Sequence, residues 1–97
     1  NAAGGVRLVE PAADLGIIAA IASSLIEQPI RHDTLLMGEI GLVGEVRSVS
    51  YPNLRMKEAA RHGFVRVIAP PSCTSEALDG VNVVPVSSVR DALAALF

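Results

Sequence analysis

The chain has 97 residues, 51% of them hydrophobic but only three aromatic, with eight basic against ten acidic side chains and a net charge of −2. That length carries one modest core and no second domain. The charge balance supplies no overall field to draw nucleic acid or an anionic membrane, no apolar run reaches the roughly 20 residues that span a bilayer, and a single cysteine, Cys73, excludes an internal disulfide and fits a reducing, cytoplasmic setting.

In chain order, Val-Arg-Leu-Val at residues 6–9 predicts a strand ending at Glu10. Pro11 suits the first turn of a helix, where its missing N–H costs nothing, and Asp14 in that turn is favourable against the helix dipole. The helix runs to about Glu27 and stops before Pro29. Leu15, Ile17, Ile18, Ile21, Leu25 and Ile26, with alanines between, cover most of its circumference, which predicts a central helix packed on more than one side. Residues 34–40 and 44–49 predict two strands around Gly41-Leu42-Val43, a hairpin or tight meander. A second helix fits 53–62, with Gly63 as its stop. Residues 65–69 predict a short strand closed by Pro70-Pro71, 74–78 a short helix, and 81–86 another strand, before Ser87 or Ser88 caps a last helix over 89–97. Strands alternating with helices indicate an α/β fold.

The stretch Glu10-Pro11-Ala12-Ala13-Asp14 is a strand-to-helix turn, a place where helix amides can stabilise an anion beside a nucleophile. It carries no nucleophile. Other candidate chemistry is sparse. Gly38, Gly41 and Gly44 match neither a dinucleotide fingerprint nor a phosphate loop, and read as turn or bulge positions. His32-Asp33 lacks the further ligands a metal-dependent hydrolase needs, since His62 is the only other His, and the chain cannot assemble a structural zinc site. Cys73 has no following His to act as its base and reads as a passive thiol. Ser23 and Ser24 lie deep in the first helix, where hydroxyls bond back to the backbone. Lys57, the only lysine, sits beside Glu58 and Arg61, a solvated setting unlike the dry one a lysine base requires.

The blocks GGVRLVEPAADLGIIAAIASS, MGEIGLVGEVRSVS, RMKEAARHGF and VIAPP resemble, in order and spacing over nearly all 97 residues, the C-terminal domain of the bacterial RadA (Sms) DNA repair family, which is similar to the proteolytic domain of the Lon proteases. The resemblance implies a single Lon-protease-like (S16-type) α/β domain over residues 1–97, a mixed sheet with helices packed on it, and a piece of a longer protein. In Lon proteases the corresponding turn reads G-P-S-A-G and its Ser is the nucleophile; that position here is Ala12, and the catalytic Lys falls on Arg55. A methyl group is no nucleophile and a guanidinium is no base. Lys57, two residues along the helix, is about 200° around it from Arg55. Ser48 for a common proline and Tyr51-Pro52-Asn53 for a more polar run depart from the family pattern and leave the aim of Arg55 open.

The resemblance therefore implies a proteolytically inactive scaffold in a ring-forming, DNA-stimulated ATPase that drives branch migration of recombination intermediates. The zinc-binding and RecA-like ATPase parts, with their Zn, ATP and Mg, lie in the parent, and this domain has no cofactor of its own. The expected partners are copies of itself (a hexameric ring by family resemblance), DNA, and recombinase and other repair proteins through the parent, with no membrane. The alternatives are an active Lon-like serine–lysine peptidase, or a peptide- or partner-binding module using the cleft of the lost dyad. Arg47, Arg55, Lys57 and Arg61 form a local cationic candidate for DNA, with Glu45 and Glu58 available to neutralise it.

Overall fold

The computed structural model describes residues 10–97; the strand expected at 6–9 lies outside them. Three parallel strands, β1 (Thr34–Leu36), β4 (Arg66–Ala69) and β5 (Asn82–Pro85), lie in the order β1-β4-β5. Leu35 is opposite Val67, and Val67 opposite Val83. Between β1 and β4 the chain makes a small antiparallel ribbon, β2 (Glu39–Ile40) with β3 (Val46–Arg47), and then helix α2 (Pro52–Arg61). Helix α1 (Asp14–Ile26) precedes the sheet and α3 (Val89–Leu96) follows it.

Side chains alternate across a strand, and β4, flanked on both sides, feeds two cores. Val67 and Ala69 join Met37, Met56, Ala59, Cys73 and Val81 on the α2 face. Ile68 joins Leu15, Val46, Val86 and Ala92 on the face of α1 and α3. The result is an α/β domain, the class that the alternation of strands and helices predicts, with helices on both faces of the sheet.

Three expectations are corrected. Residues 34–40 are not one strand of a hairpin. The chain leaves the parallel sheet at Met37, whose N–H donates to Ile68 O at 3.0 Å, and Gly38 N–H turns to Ala12 O at 2.9 Å. Only Glu39–Ile40 pairs with β3, so the hairpin is the short ribbon around residues 41–45. Residues 74–78 form no helix of their own; a 3-10 helix spans Pro71–Glu76, started by the proline pair. Finally, among the described residues α1 is covered on one side. Leu15 and Ala19 are buried, while Ile17, Ile21 and Leu25 stand 57%, 56% and 79% exposed.

The helix ends follow local chemistry. Pro11–Ala13 is a 3-10 turn ahead of α1, closed by Ala13 N–H on Glu10 O at 3.0 Å. At its far end Glu27 is left-handed, and the Ser23 hydroxyl donates to Gln28 O, so that serine closes the helix. α2 begins with Pro52 at N1 behind a left-handed Tyr51, and Gly63 at φ +85° ends it. Ser88 caps α3, its hydroxyl accepting from Asp91 N–H at 3.0 Å.

Candidate functional site

The turn before α1 is tied down from both sides. Gly38 N–H donates to Ala12 O at 2.9 Å and Leu15 N–H to Gly38 O at 3.1 Å. The Asp14 carboxylate accepts from Ile40 N–H at 3.2 Å, so the acid in the first turn of α1 also holds the start of the ribbon. Gly38 is favoured by contact, because a Cβ there would lie 2.7 Å from Val46 Cγ1 and force that side chain to shift. These bonds bring Ala12, only 7% exposed, against the sheet edge at the mouth of a groove.

The groove encloses about 460 Å³ between this turn, β1 and α2. Leu35, Met37, Leu54 and Phe64 make it apolar; Glu10 with Arg55, and Glu58 with the His62 imidazole, supply its polar groups. A second, more polar pocket of about 130 Å³ shares Glu10, Ala12 and Arg55 and adds Glu39, Ser48 and Ser50. Ala12 and Arg55, 43 positions apart in sequence, therefore line the same two cavities.

Arg55 does not project freely into this space. Its Nη2 donates to Glu10 Oε1 at 2.9 Å and to Ser50 Oγ at 3.3 Å, and its Nε to Ser50 O at 2.6 Å. Glu10 Oε1 also accepts from Ala12 N–H at 3.3 Å. One carboxylate thus links the guanidinium to the backbone of the turn. A guanidinium donates and has no lone pair with which to take a proton, and Ala12 offers only a methyl. The hydroxyls bordering the smaller pocket belong to Ser48 and Ser50. Ser48 accepts from Ser72 Oγ at 3.2 Å and Ser50 accepts from Arg55. Glu10 and Ser50 are the members of this constellation that sequence reasoning did not single out as a pair with Arg55. Glu10 was visible as the acid of the turn, but nothing local announces its partner.

Two of the other three cationic candidates are paired with carboxylates. Arg47 pairs with Glu45 at 3.3 Å. Arg61 donates through Nε and Nη2 to Glu58 Oε2 at 3.1 and 2.8 Å, and His62 Nε2 lies 3.3 Å from the same oxygen. The Arg61 hydrogen bond holds the Glu58 carboxyl below the usual carboxylate range. Lys57 is exposed and, among the described residues, forms no ion pair. Arg66 is a strut: Nε donates to Thr34 Oγ1 at 2.9 Å and Nη1 to Ala95 O at 3.4 Å, joining β4, β1 and α3. Cys73 is buried, and burial pushes its thiol pKa up. Among the described residues no three His, Cys, Asp or Glu side chains are grouped to hold a metal ion, and no helix is long and apolar enough to cross a membrane.

Residues 2–97 match the model of the Lon protease (S16) C-terminal proteolytic domain. The chain is 47% identical over its full length to the DNA repair protein RadA of Pseudomonas aeruginosa and 43% identical over its full length to that of Aquifex aeolicus, covering 22% of each. The Escherichia coli protein of the same name is 40% identical over 96% of the chain, which covers 20% of it. The chain thus spans about a fifth of the length of these relatives and corresponds to their C-terminal part.

Proposed function

Since the chain belongs to the Lon protease (S16) C-terminal proteolytic domain family, in the form borne by RadA DNA repair proteins, we propose that it is a proteolytically silent scaffold domain of a RadA-type repair protein. The observation that carries this reading is the Arg55–Glu10–Ala12 linkage: a donor-only guanidinium and a methyl line the groove, and the guanidinium is bonded to the turn. Where a serine–lysine dyad would perform acyl transfer, this chain has a brace that ties α2 to the start of α1.

In this role the domain helps copies of the protein assemble head to tail into a ring, a hexamer by family resemblance, and adds DNA contact during branch migration and the processing of recombination intermediates. Recombinase and other repair proteins meet the parent rather than this chain. The parent is a cytoplasmic DNA-dependent ATPase. By family resemblance its zinc, magnesium and ATP belong to the zinc-binding and RecA-like ATPase parts of the parent. The DNA contribution of Arg47, Lys57 and Arg61 is small in one copy, since Glu45 and Glu58 answer two of the three charges.

A second reading rests on the groove. Its apolar walls and charged groups suit an extended peptide segment, so a partner-binding role for the former cleft stands beside the scaffold role.

The test is restoration. The double variant Ala12→Ser/Arg55→Lys is assayed with fluorogenic peptides beside the unmodified chain. Little or no turnover is expected even from the variant, because oxyanion donors and a dry lysine pocket require a supporting shell, and the lysine would sit beside Glu10. Efficient cleavage by the variant would mean that two substitutions alone separate this domain from a protease, and that the brace is incidental.

A further inference from the structure

The segment that joins the ribbon to α2 is accessible. Residues 48–51 form no helix or strand, and Ser48, Ser50 and Tyr51 are exposed. Arg47, exposed at the end of β3, stands three residues ahead of Ser50. Flanking charge of this kind is what protein kinases read beside the serine they modify. Of the two serines, Ser48 is engaged by the Ser72 hydroxyl at 3.2 Å, whereas Ser50 faces a cation.

That cation is Arg55, whose Nη2 donates to Ser50 Oγ at 3.3 Å and to Glu10 Oε1 at 2.9 Å. Serine and carboxylate thus share one nitrogen, and the shorter, charge-assisted bond belongs to Glu10. A phosphoryl group on Ser50 reverses that order. It carries about −1.5 to −2 charge and three acceptor oxygens, against a single charge on Glu10. It also belongs to the segment that Arg55 already grips, through Nε to Ser50 O at 2.6 Å. Glu10 comes from a separate segment with its side chain 56% exposed, so it is both outcompeted and repelled. Ser50, Arg55 and Glu10 line one pocket of about 130 Å³, which gives the group room.

We propose that Ser50 is a phosphoryl-acceptor site, and that its modification moves Arg55 from Glu10 to the phosphate and so releases the brace between α2 and the turn before α1. The donor is a nucleoside triphosphate brought by a protein kinase. A bond forms between Ser50 Oγ and the γ-phosphorus, and the bond from that phosphorus to the β–γ bridging oxygen breaks. The nucleoside diphosphate leaves, and the hydroxyl proton passes to a base of the kinase. The inference rests on the brace and not on the loss of proteolysis, which the restoration assay tests separately.

The experiment has two arms. In the first, the 97-residue chain is incubated with an arginine-directed serine/threonine kinase, ATP and magnesium, and the product is mapped by mass spectrometry. The expected result is one phosphate, on Ser50, absent from Ser50→Ala. Its addition should slow about tenfold in Arg47→Ala, the effect of one lost charge-assisted contact. In the second arm phosphoserine is inserted at position 50 during synthesis, circular dichroism verifies folding, and phosphorus NMR follows the titration of the phosphate. Arg55→Ala should raise its second pKa by about half a unit or more, because a cation beside it favours the dianion. Glu10→Gln should lower that pKa, because it removes a like charge. A chain left unmodified at Ser50 in the first arm would overturn the site. A phosphate whose titration ignores Arg55→Ala would overturn the switch and leave Arg55 on Glu10.

Discussion

Arg55 reaches three acceptors in two segments, Glu10 on the turn before α1 and Ser50 O and Oγ just ahead of α2. Its side chain is 28% exposed and that of Glu10 56%, so the ion pair itself is weak, worth well under about 1 kcal/mol. The hydrogen bond to a backbone carbonyl adds to it, and Arg55→Ala should cost about 1–2 kcal/mol in all. Arg55→Lys, which keeps the charge but not the fork, should lose part of that. Urea denaturation of the three proteins measures it; an unchanged midpoint for Arg55→Ala would mean that the contact is incidental. In the sequence the resemblance assigns the dyad positions to Ala12 and Arg55, and residue type alone says what a methyl and a guanidinium can do there. The brace could not, because its carboxylate is 45 positions from its guanidinium and no periodicity connects them.

At the scale of elements, Gly38 is where the chain passes from the parallel sheet to the ribbon. A methyl group there would clash with a stiff, β-branched Val46, and such overpacking costs about 1–3 kcal/mol. Gly38→Ala should therefore lower the melting temperature clearly. Gly41→Ala should be milder: its Cβ meets only the end of the Glu45 side chain, which can rotate away at the expense of its bond from Val43 N–H. Equal losses for the two variants would show that the ribbon, not the sheet junction, limits stability. Elements with local signals were legible to within a residue or two: α2 behind Pro52 and ahead of Gly63, β4 before Pro70, α3 behind Ser88. The break at Met37–Gly38 was not, because its bonds go to Ile68 and Ala12, partners that a local pattern does not contain. The apolar circumference of α1 predicted packing on more than one side, whereas among the described residues only Leu15 and Ala19 of the helix are buried.

For the whole molecule, net charge and local pairing both bear on DNA. The chain carries −2 overall, and the cations on and near α2 are matched by Glu45, Glu58 and Glu10, with Lys57 left unpaired among the described residues. A single copy should bind duplex weakly and without sequence preference at low salt, fading as salt rises, because each phosphate contact releases condensed counterions and that gain shrinks as bulk salt increases. A salt titration of fluorescent duplex with wild type and Lys57→Glu/Arg61→Glu tests this; coincident curves would remove α2 from the DNA path. The central claim, however, is that a Lon-type domain has been kept for its shape and not for proteolysis. Its most direct test is incubation of the unmodified, purified chain with casein and fluorogenic peptides, followed by mass spectrometry of the products. The account predicts intact substrate at all times. Sustained cleavage, lost on replacing Ser48 or Ser50, the hydroxyls beside Ala12, would contradict it.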